Sequence, residues 1–339
     1  MRVLAAPDKF KGSATAQEVA AAIGHACWEL GVDCVEIPMA DGGDGLLDVL
    51  GGANRRSTVT GPLGDPVRAG WRFSGDTAVI EMARASGLVL AGGADGNEAL
   101  DATTTGTGEL IDHALDAGAK RIIVGLGGSA TTDGGFGAIR AITAIARLKQ
   151  VELLVACDVS TRFTDAAAVF GPQKGASAAQ VKLLERRLDR LVQMFDEDFD
   201  FDVAEVAGGG AAGGLGGALA ALGGRLVPGF ELVADELDLF DHLDVDNPNR
   251  VDVIITGEGR LDATSFDGKV VGGIVELGRD AGIPVMAVVG DADADILEQP
   301  TGLLETAVLA DLFGLESALA ELKQNIERAT TTLIRARFN

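Results

Sequence analysis

The sequence predicts an α/β protein: a discontinuous flavodoxin/Rossmann-like parallel-sheet domain with an inserted second, mixed α/β domain. Three observations lead there. Short β-branched or apolar runs alternate with amphipathic helical stretches, the pattern of a mainly parallel sheet. A strand–helix–strand unit of similar style stands at each end of the chain. Between them, residues 57–82 break the pattern with three short strands separated by Gly-Pro-Leu-Gly-Asp-Pro and Ser-Gly-Asp turns, which favour antiparallel pairing. A length of 339 residues exceeds one ordinary core, and the expected domains are 1–56 plus 248–339, with 57–247 inserted.

The elements follow in order. Residues 2–6 read as the first strand. A capping box, Thr15 to Glu18, opens a helix with Val19, Ile23, Cys27 and Leu30 on one face. A second strand covers 33–38, and the three short strands cover 57–60, 67–73 and 78–82. A helix near 106–117, a strand at 121–125, a helix from about 135 and a strand at 153–157 come next. Val181, Leu184, Leu188, Leu191 and Phe195 give a helical stripe. The closing β-α-β has strands at 251–256 and 285–289 around a helix near 270–281. A last helix carries Leu319, Leu322, Ile326 and Leu333 at three-to-four spacing.

Hydrophobic content of 47% supports well-buried cores, and 47 glycines with no tyrosine point to aliphatic packing and many tight loops. The formal charge of −23 argues against nucleic acid and anionic membranes as partners. The uncharged stretch 206–224 is too rich in glycine for a membrane span, and the N-terminus opens on a strand-like run without a signal peptide. Cys27, Cys34 and Cys157 form no C-x-x-C, so reduced thiols in a cytoplasmic protein are the expectation. His25, His113 and His242 lack metal-ligand spacing, which argues against zinc chemistry.

In so acidic a chain, the few lysines and arginines inside glycine-rich loops are informative. Ala6-Pro-Asp-Lys-Phe-Lys-Gly-Ser13 packs Asp8, Lys9, Lys11 and Ser13 between a strand and a helix, where α/β proteins bind ligands. Asp41-Gly-Gly-Asp-Gly45 offers two carboxylates on flexible backbone, for a metal or as a plain Asp-Gly turn. Arg84 could clamp a carboxylate or sit in a surface ion pair. Thr103-Thr-Thr-Gly-Thr-Gly-Glu109 suits an anion, or a helix cap. Gly125-Leu-Gly-Gly-Ser-Ala-Thr-Thr-Asp133-Gly-Gly135 combines close backbone approach, hydroxyls and a carboxylate. Asp158 ends a strand, and Lys174 stands in a Gly/Pro loop that is not a Walker A motif. Gly208-Gly-Gly-Ala-Ala-Gly213 satisfies G-x-G-x-x-G without a convincing preceding strand. Thr256-Gly-Glu258-Gly-Arg260-Leu-Asp262, with Lys269 beyond, is a mixed-charge loop after a strong strand.

Taken in order, these loops resemble the bacterial glycerate kinases, type 1, with a two-domain α/β structure. The resemblance rests on Ala6-Pro-Asp-Lys-Phe-Lys-Gly, Ala40-Asp-Gly-Gly-Asp-Gly, Val59-Thr-Gly-Pro-Leu-Gly, Gly127-Gly-Ser-Ala-Thr-Thr-Asp-Gly-Gly, Val155-Ala-Cys-Asp-Val, Phe170-Gly-Pro-Gln-Lys-Gly-Ala and Ile255-Thr-Gly-Glu-Gly-Arg-Leu-Asp. It implies transfer of the ATP γ-phosphoryl group to a hydroxyl of D-glycerate with Mg²⁺, at a site in the interdomain cleft. It implies 2-phosphoglycerate as product ahead of 3-phosphoglycerate. Phosphoryl transfer needs positioning and charge neutralisation rather than a His or Cys nucleophile. The expected catalytic set is Lys9, Asp41, Asp133 and Glu258, with Lys11, Arg84, Arg260 and Lys269 on the substrate. Gly127, Gly128, Ser129, Thr131 and Lys174 are expected at the nucleotide, and Asp44, Asp133 and Asp158 at the metal. Asp133→Asn is then expected to lower kcat far more than stability. The expected assembly is a monomer or homodimer. An NAD(P)-linked oxidoreductase using Gly208–Gly213 and a non-catalytic metabolite sensor are the alternatives. The sequence departs from the family pattern between Arg140 and Glu152, where a shorter segment replaces a longer glycine-rich one, and after Asp158.

Overall fold

The computed structural model describes residues 1–338. Its strands are β1 (Arg2–Ala5), β2 (Asp33–Glu36), β3 (Arg55–Thr60), β4 (Pro66–Ser74), β5 (Thr77–Glu81), β6 (Arg121–Gly125), β7 (Glu152–Ala156), β8 (Arg225–Val227), β9 (Val253–Leu261), β10 (Val285–Ala292) and β11 (Glu305–Val308). They fall into two compact units, Met1–Asp41 with Phe230–Asn339, and Gly42–Gly229.

The first unit is built on a five-stranded sheet in the order β11-β10-β9-β1-β2, and every pairing in it is parallel. Successive side chains on a strand point to opposite faces. Met286 and Val288 of β10 accordingly join Val3, Ala5, Val253 and Ile255 in one buried cluster. Ala287 and Val289 join Leu261 and Val271 in another. Both faces of the sheet are therefore covered, as a parallel sheet requires. The helix Ala16–Glu29 supplies Val19, Ile23 and Cys27 to the first cluster, and its capping box at Thr15 and Glu18 is present. The helix Leu322–Phe338 supplies Ile326, Ala329 and Leu333. Leu319 does not continue that stripe: it lies in a separate helix, Leu315–Ala320, broken at Glu321, and is 60% exposed.

The second unit holds a six-stranded sheet, β3-β4-β5-β6-β7-β8. The β3–β4 and β4–β5 pairs are antiparallel, and β5 through β8 are parallel. The long helix Ala178–Phe199 buries Leu184, Leu188 and Phe195 in its core, the stripe the sequence spacing predicts. The short strands β8 and β11, of three and four residues, carry too little pattern to be read from sequence.

The units divide at Asp41/Gly42 and Gly229/Phe230, earlier in the chain than the expected 56/57 and 247/248. Local contacts give the reason. The Glu81 carboxylate accepts from the Gly45 and Leu47 amides at 2.9 Å each, tying the helix Leu46–Val49 to β5. At the other end, the Phe230 ring packs where Gly273 of the helix Val270–Ala281 has no β-carbon.

Candidate active site

In the first unit, four neighbouring parallel strands deliver charged residues at or beyond their C-terminal ends. Asp8 and Lys9 follow β1, Asp41 follows β2, Glu258 and Arg260 lie late in β9, and Asp291 lies late in β10. This is the edge of an open α/β sheet at which ligands bind. With Lys11, Ser13 and Lys269, these residues line one cavity of about 350 Å³. The Asp8 amide donates to the Gly257 carbonyl at 2.8 Å, so the loop after β1 is stitched onto β9. Glycine is required where β9 and β10 meet: a β-carbon on Gly290 would lie 2.5 Å from the Gly259 carbonyl oxygen.

Two carboxylates of this cavity, Asp8 and Glu258, are held away from their ordinary ionisation. Burial pushes Asp8 up to about 6; Lys9 opposes this and the Asp41 charge adds to it. Burial pushes Glu258 up to about 7, against a hydrogen bond from Ser265 and the charge of Lys269, and with the negative charges of Asp8 and Asp262. Glu258 Oε1 is buried without a hydrogen-bond partner. Lys9 Nζ stands 3.7 Å from Asp8 Oδ1, and Lys269 Nζ donates to Thr264 Oγ1 at 2.7 Å. Lys269 also precedes the first turn of the helix Val270–Ala281, which no side chain caps. The two lysines favour an anion in this cavity. Arg260 is exposed and tied to Asp293 at 2.6 Å and Asp291 at 3.6 Å. Sequence reasoning gives Asp8 no separate role; its signal is its place directly after a buried strand.

The second unit holds the remaining candidates, and there the same residue types are engaged in hydrogen bonds and ion pairs within the unit. Asp133 Oδ2 accepts from the Thr104 amide and hydroxyl, both at 2.8 Å, and from the Gly137 amide at 3.2 Å. Its Oδ1 accepts from the Gly135 amide at 3.1 Å. These bonds fasten the starts of the helices Thr105–Asp116 and Phe136–Ala141 to one carboxylate. Burial raises the Asp133 pKa against all of these bonds. Lys174 is 3% exposed, donates to the Thr131 carbonyl at 2.7 Å and lies 5.8 Å from the Phe170 ring centre. Burial lowers its pKa to about 7, with the Asp133 charge opposing. Thr131 is fully buried and its hydroxyl donates to the Ala212 carbonyl. Ser129 bridges to Gly87, and the Gly128 carbonyl accepts from the Leu88 amide at 2.9 Å. Gly127 is needed for packing, since a β-carbon there would lie 2.5 Å from Gly43 Cα.

Arg84 is likewise engaged, donating to Glu81 at 2.7 Å and pairing with Asp48 at 3.3 Å. Its guanidinium thus has a protein carboxylate as partner in each pair. Asp158 Oδ1 accepts from the Gly229 amide at 2.7 Å, at the start of the helix Gly229–Glu236, and Asp44 is exposed. Among the described residues, no group of three or more His, Cys, Asp or Glu side chains is gathered where it could hold a metal ion. The G-x-G-x-x-G run is also structural: a β-carbon on Gly213 would collide with the Thr131 carbonyl, and its own carbonyl accepts from the Gly134 amide. The short 141–151 connection is anchored, with Asp112 accepting from Thr143 and Ala144 and Arg147 pairing with Asp116 at 2.7 Å.

Known proteins are similar to this chain in sequence and fold. A family model described as the glycerate kinase family matches residues 3–146 and 142–337, two stretches that overlap at the short connection. The chain is 37% identical to glycerate 2-kinase of Escherichia coli K12 over 379 aligned positions, covering 100% of this chain and 97% of that one. It is 39% identical to the glycerate kinase of Bacillus subtilis 168, covering 87% and 86%. A solved structure described provisionally as glycerate kinase 2 from Salmonella typhimurium LT2 superposes with a TM-score of 0.82 at 34% identity, covering 99% and 98%. The chain belongs to the glycerate kinase family and is a kinase, a phosphotransferase with an alcohol group as acceptor.

Proposed function

We propose that this protein transfers the γ-phosphoryl group of ATP to the 2-hydroxyl of D-glycerate, giving 2-phosphoglycerate and ADP, and that the cavity of the first unit carries the chemistry. The observation that supports this is the combination in one cavity of Asp8, Asp41 and Glu258 with Lys9 and Lys269, the residue that precedes the helix Val270–Ala281. The choice of position follows the Escherichia coli relative, a glycerate 2-kinase.

Glu258 would accept the hydroxyl proton as the glycerate oxygen bonds to the γ-phosphorus and the bond to the β–γ bridging oxygen breaks. A carboxylate poised at about 7 suits that task at neutral pH. Lys9 and Lys269 would neutralise the phosphates, and Lys11 would meet the substrate carboxylate or the phosphates. Mg²⁺ is commonly bound by one or two carboxylates together with phosphate oxygens rather than by a complete protein cage. Asp8 and Asp41 fit that role, since their mutual repulsion and the burial of Asp8 favour a cation beside them. Bound there, Mg²⁺ would neutralise phosphate charge. A cytoplasmic location goes with this reading, and Cys27, Cys34 and Cys157 are free thiols, as in a reducing compartment.

One incubation with D-glycerate and Mg-ATP, coupled directly to enolase, tests the reading. An immediate signal is expected. A signal only after adding phosphoglycerate mutase would instead give 3-phosphoglycerate as product, and no ADP formation would remove the kinase assignment.

A further inference from the structure

We infer that the leucine wall of the charged cavity, Leu315 and Leu319 with Ala318 and Leu322 behind them, is the seat of the nucleobase of the phosphoryl donor. This assignment rests on the kinase reading above and takes up the part of the cavity which that reading leaves unused.

Leu315 is 62% exposed and Leu319 60% exposed, whereas Ala318 and Leu322 are buried beneath them. Leaving two adjacent leucines in water forgoes stabilisation that burial would supply. They line the same cavity as Asp8, Lys9, Glu258 and Lys269. The cavity thus has a charged end and an aliphatic end. Glycerate is a three-carbon acid with an oxygen on every carbon, so it has no apolar face to offer that wall. A nucleoside triphosphate has both parts: an anionic chain for the lysines and a flat, weakly polar base for the leucines. A volume of about 350 Å³ lies in the usual range for a small-molecule site. The wall offers side-chain carbon only, so it grips the base by contact area. It should therefore favour purines over pyrimidines and separate adenine from guanine weakly.

Titration calorimetry on the full chain tests this without needing turnover. ADP and pyrophosphate are the probes, and the wild type is compared with the Leu315→Ala/Leu319→Ala double variant. Both side chains are exposed, so the variant should keep the wild-type Tm. The expected result is a loss of ADP affinity of roughly tenfold, with pyrophosphate affinity unchanged. In the enolase-coupled assay, KM for ATP should rise in step while KM for D-glycerate holds. Unchanged ADP affinity would overturn the inference, and so would an equal loss for ADP and pyrophosphate. A change in sedimentation with no change in ADP affinity would assign the leucines to contact between two copies of the chain and would also overturn it. Wild-type protein that binds ADP through this wall but makes no product with D-glycerate would sink the kinase reading and leave the nucleobase assignment standing.

Discussion

Each unit carries an aspartate and a lysine in glycine-rich loops next to parallel strands, yet the two sets are in opposite states. In the second unit, Asp133 accepts four hydrogen bonds and Lys174 is buried against a carbonyl and an aromatic ring. In the first, Glu258 keeps a buried oxygen without a partner and shares its cavity with Asp8 and Asp41. A satisfied polar network specifies structure, whereas buried groups whose pKa values are displaced beside a cavity mark chemistry. Both sets have displaced pKa values, so hydrogen-bond satisfaction, rather than residue type or pKa, is what differs between them.

The sharpest way to break this contrast is Glu258→Gln. Turnover should fall by about 10²–10⁴-fold, the range for loss of a general base. Stability should move the other way. The folded pKa of about 7 lies above the ordinary 4.5, so the folded chain binds this proton more tightly than the unfolded chain. That stabilisation is complete below the ordinary value and is lost as pH rises to about 7. Removing the charge should raise stability at pH 8 by on the order of 2 kcal/mol in metal-free buffer, and by little at pH 4. A lower Tm at pH 8 would place Glu258 among the scaffold residues.

Asp133→Asn is the mirror test. It puts a donor against amides that already donate, so the variant should lose about 3 kcal/mol in urea unfolding, with the remaining folded enzyme keeping most of its kcat. This reverses the balance expected from the sequence. Full stability with lost turnover would return Asp133 to the mechanism. Arg84→Ala should cost about 2 kcal/mol by leaving buried Glu81 with amide donors alone, and KM for D-glycerate should not change. The smallest effect belongs to Arg260→Ala. Its exposed pairs with Asp291 and Asp293 should leave Tm unchanged in a thermal scan.

The α/β class, the antiparallel patch and the main helices are legible in the sequence because period and turn chemistry are local. The capping box at Thr15 and the Leu184–Leu188–Phe195 stripe are examples. Lys9, Asp41 and Glu258 are legible as candidates because each stands after or late in a strong strand. Sequence alone does not show that Arg84 is held by Glu81 and Asp48, since that clamp depends on β5 meeting the helix Leu46–Val49. Nor does it separate Gly127, packed on Gly43, from a glycine that admits a phosphate. Leu319 fits the spacing of the last helix yet lies outside it, because the break at Glu321 has no proline or glycine to announce it.

In the first unit, β1 lies between β2 and β9, and Thr256 Oγ1 donates to the Ala6 carbonyl across 250 residues of sequence. At about 5–20 residues per second, a ribosome delivers β9 roughly 10–50 s after β1. Through that interval one edge of the first strand has no partner, while all of Gly42–Gly229 has already been made. Val3, Leu4 and Ala5, all fully buried in the folded chain, therefore wait for β9, which comes only as the last quarter of the 339 residues begins, to close that edge of the sheet.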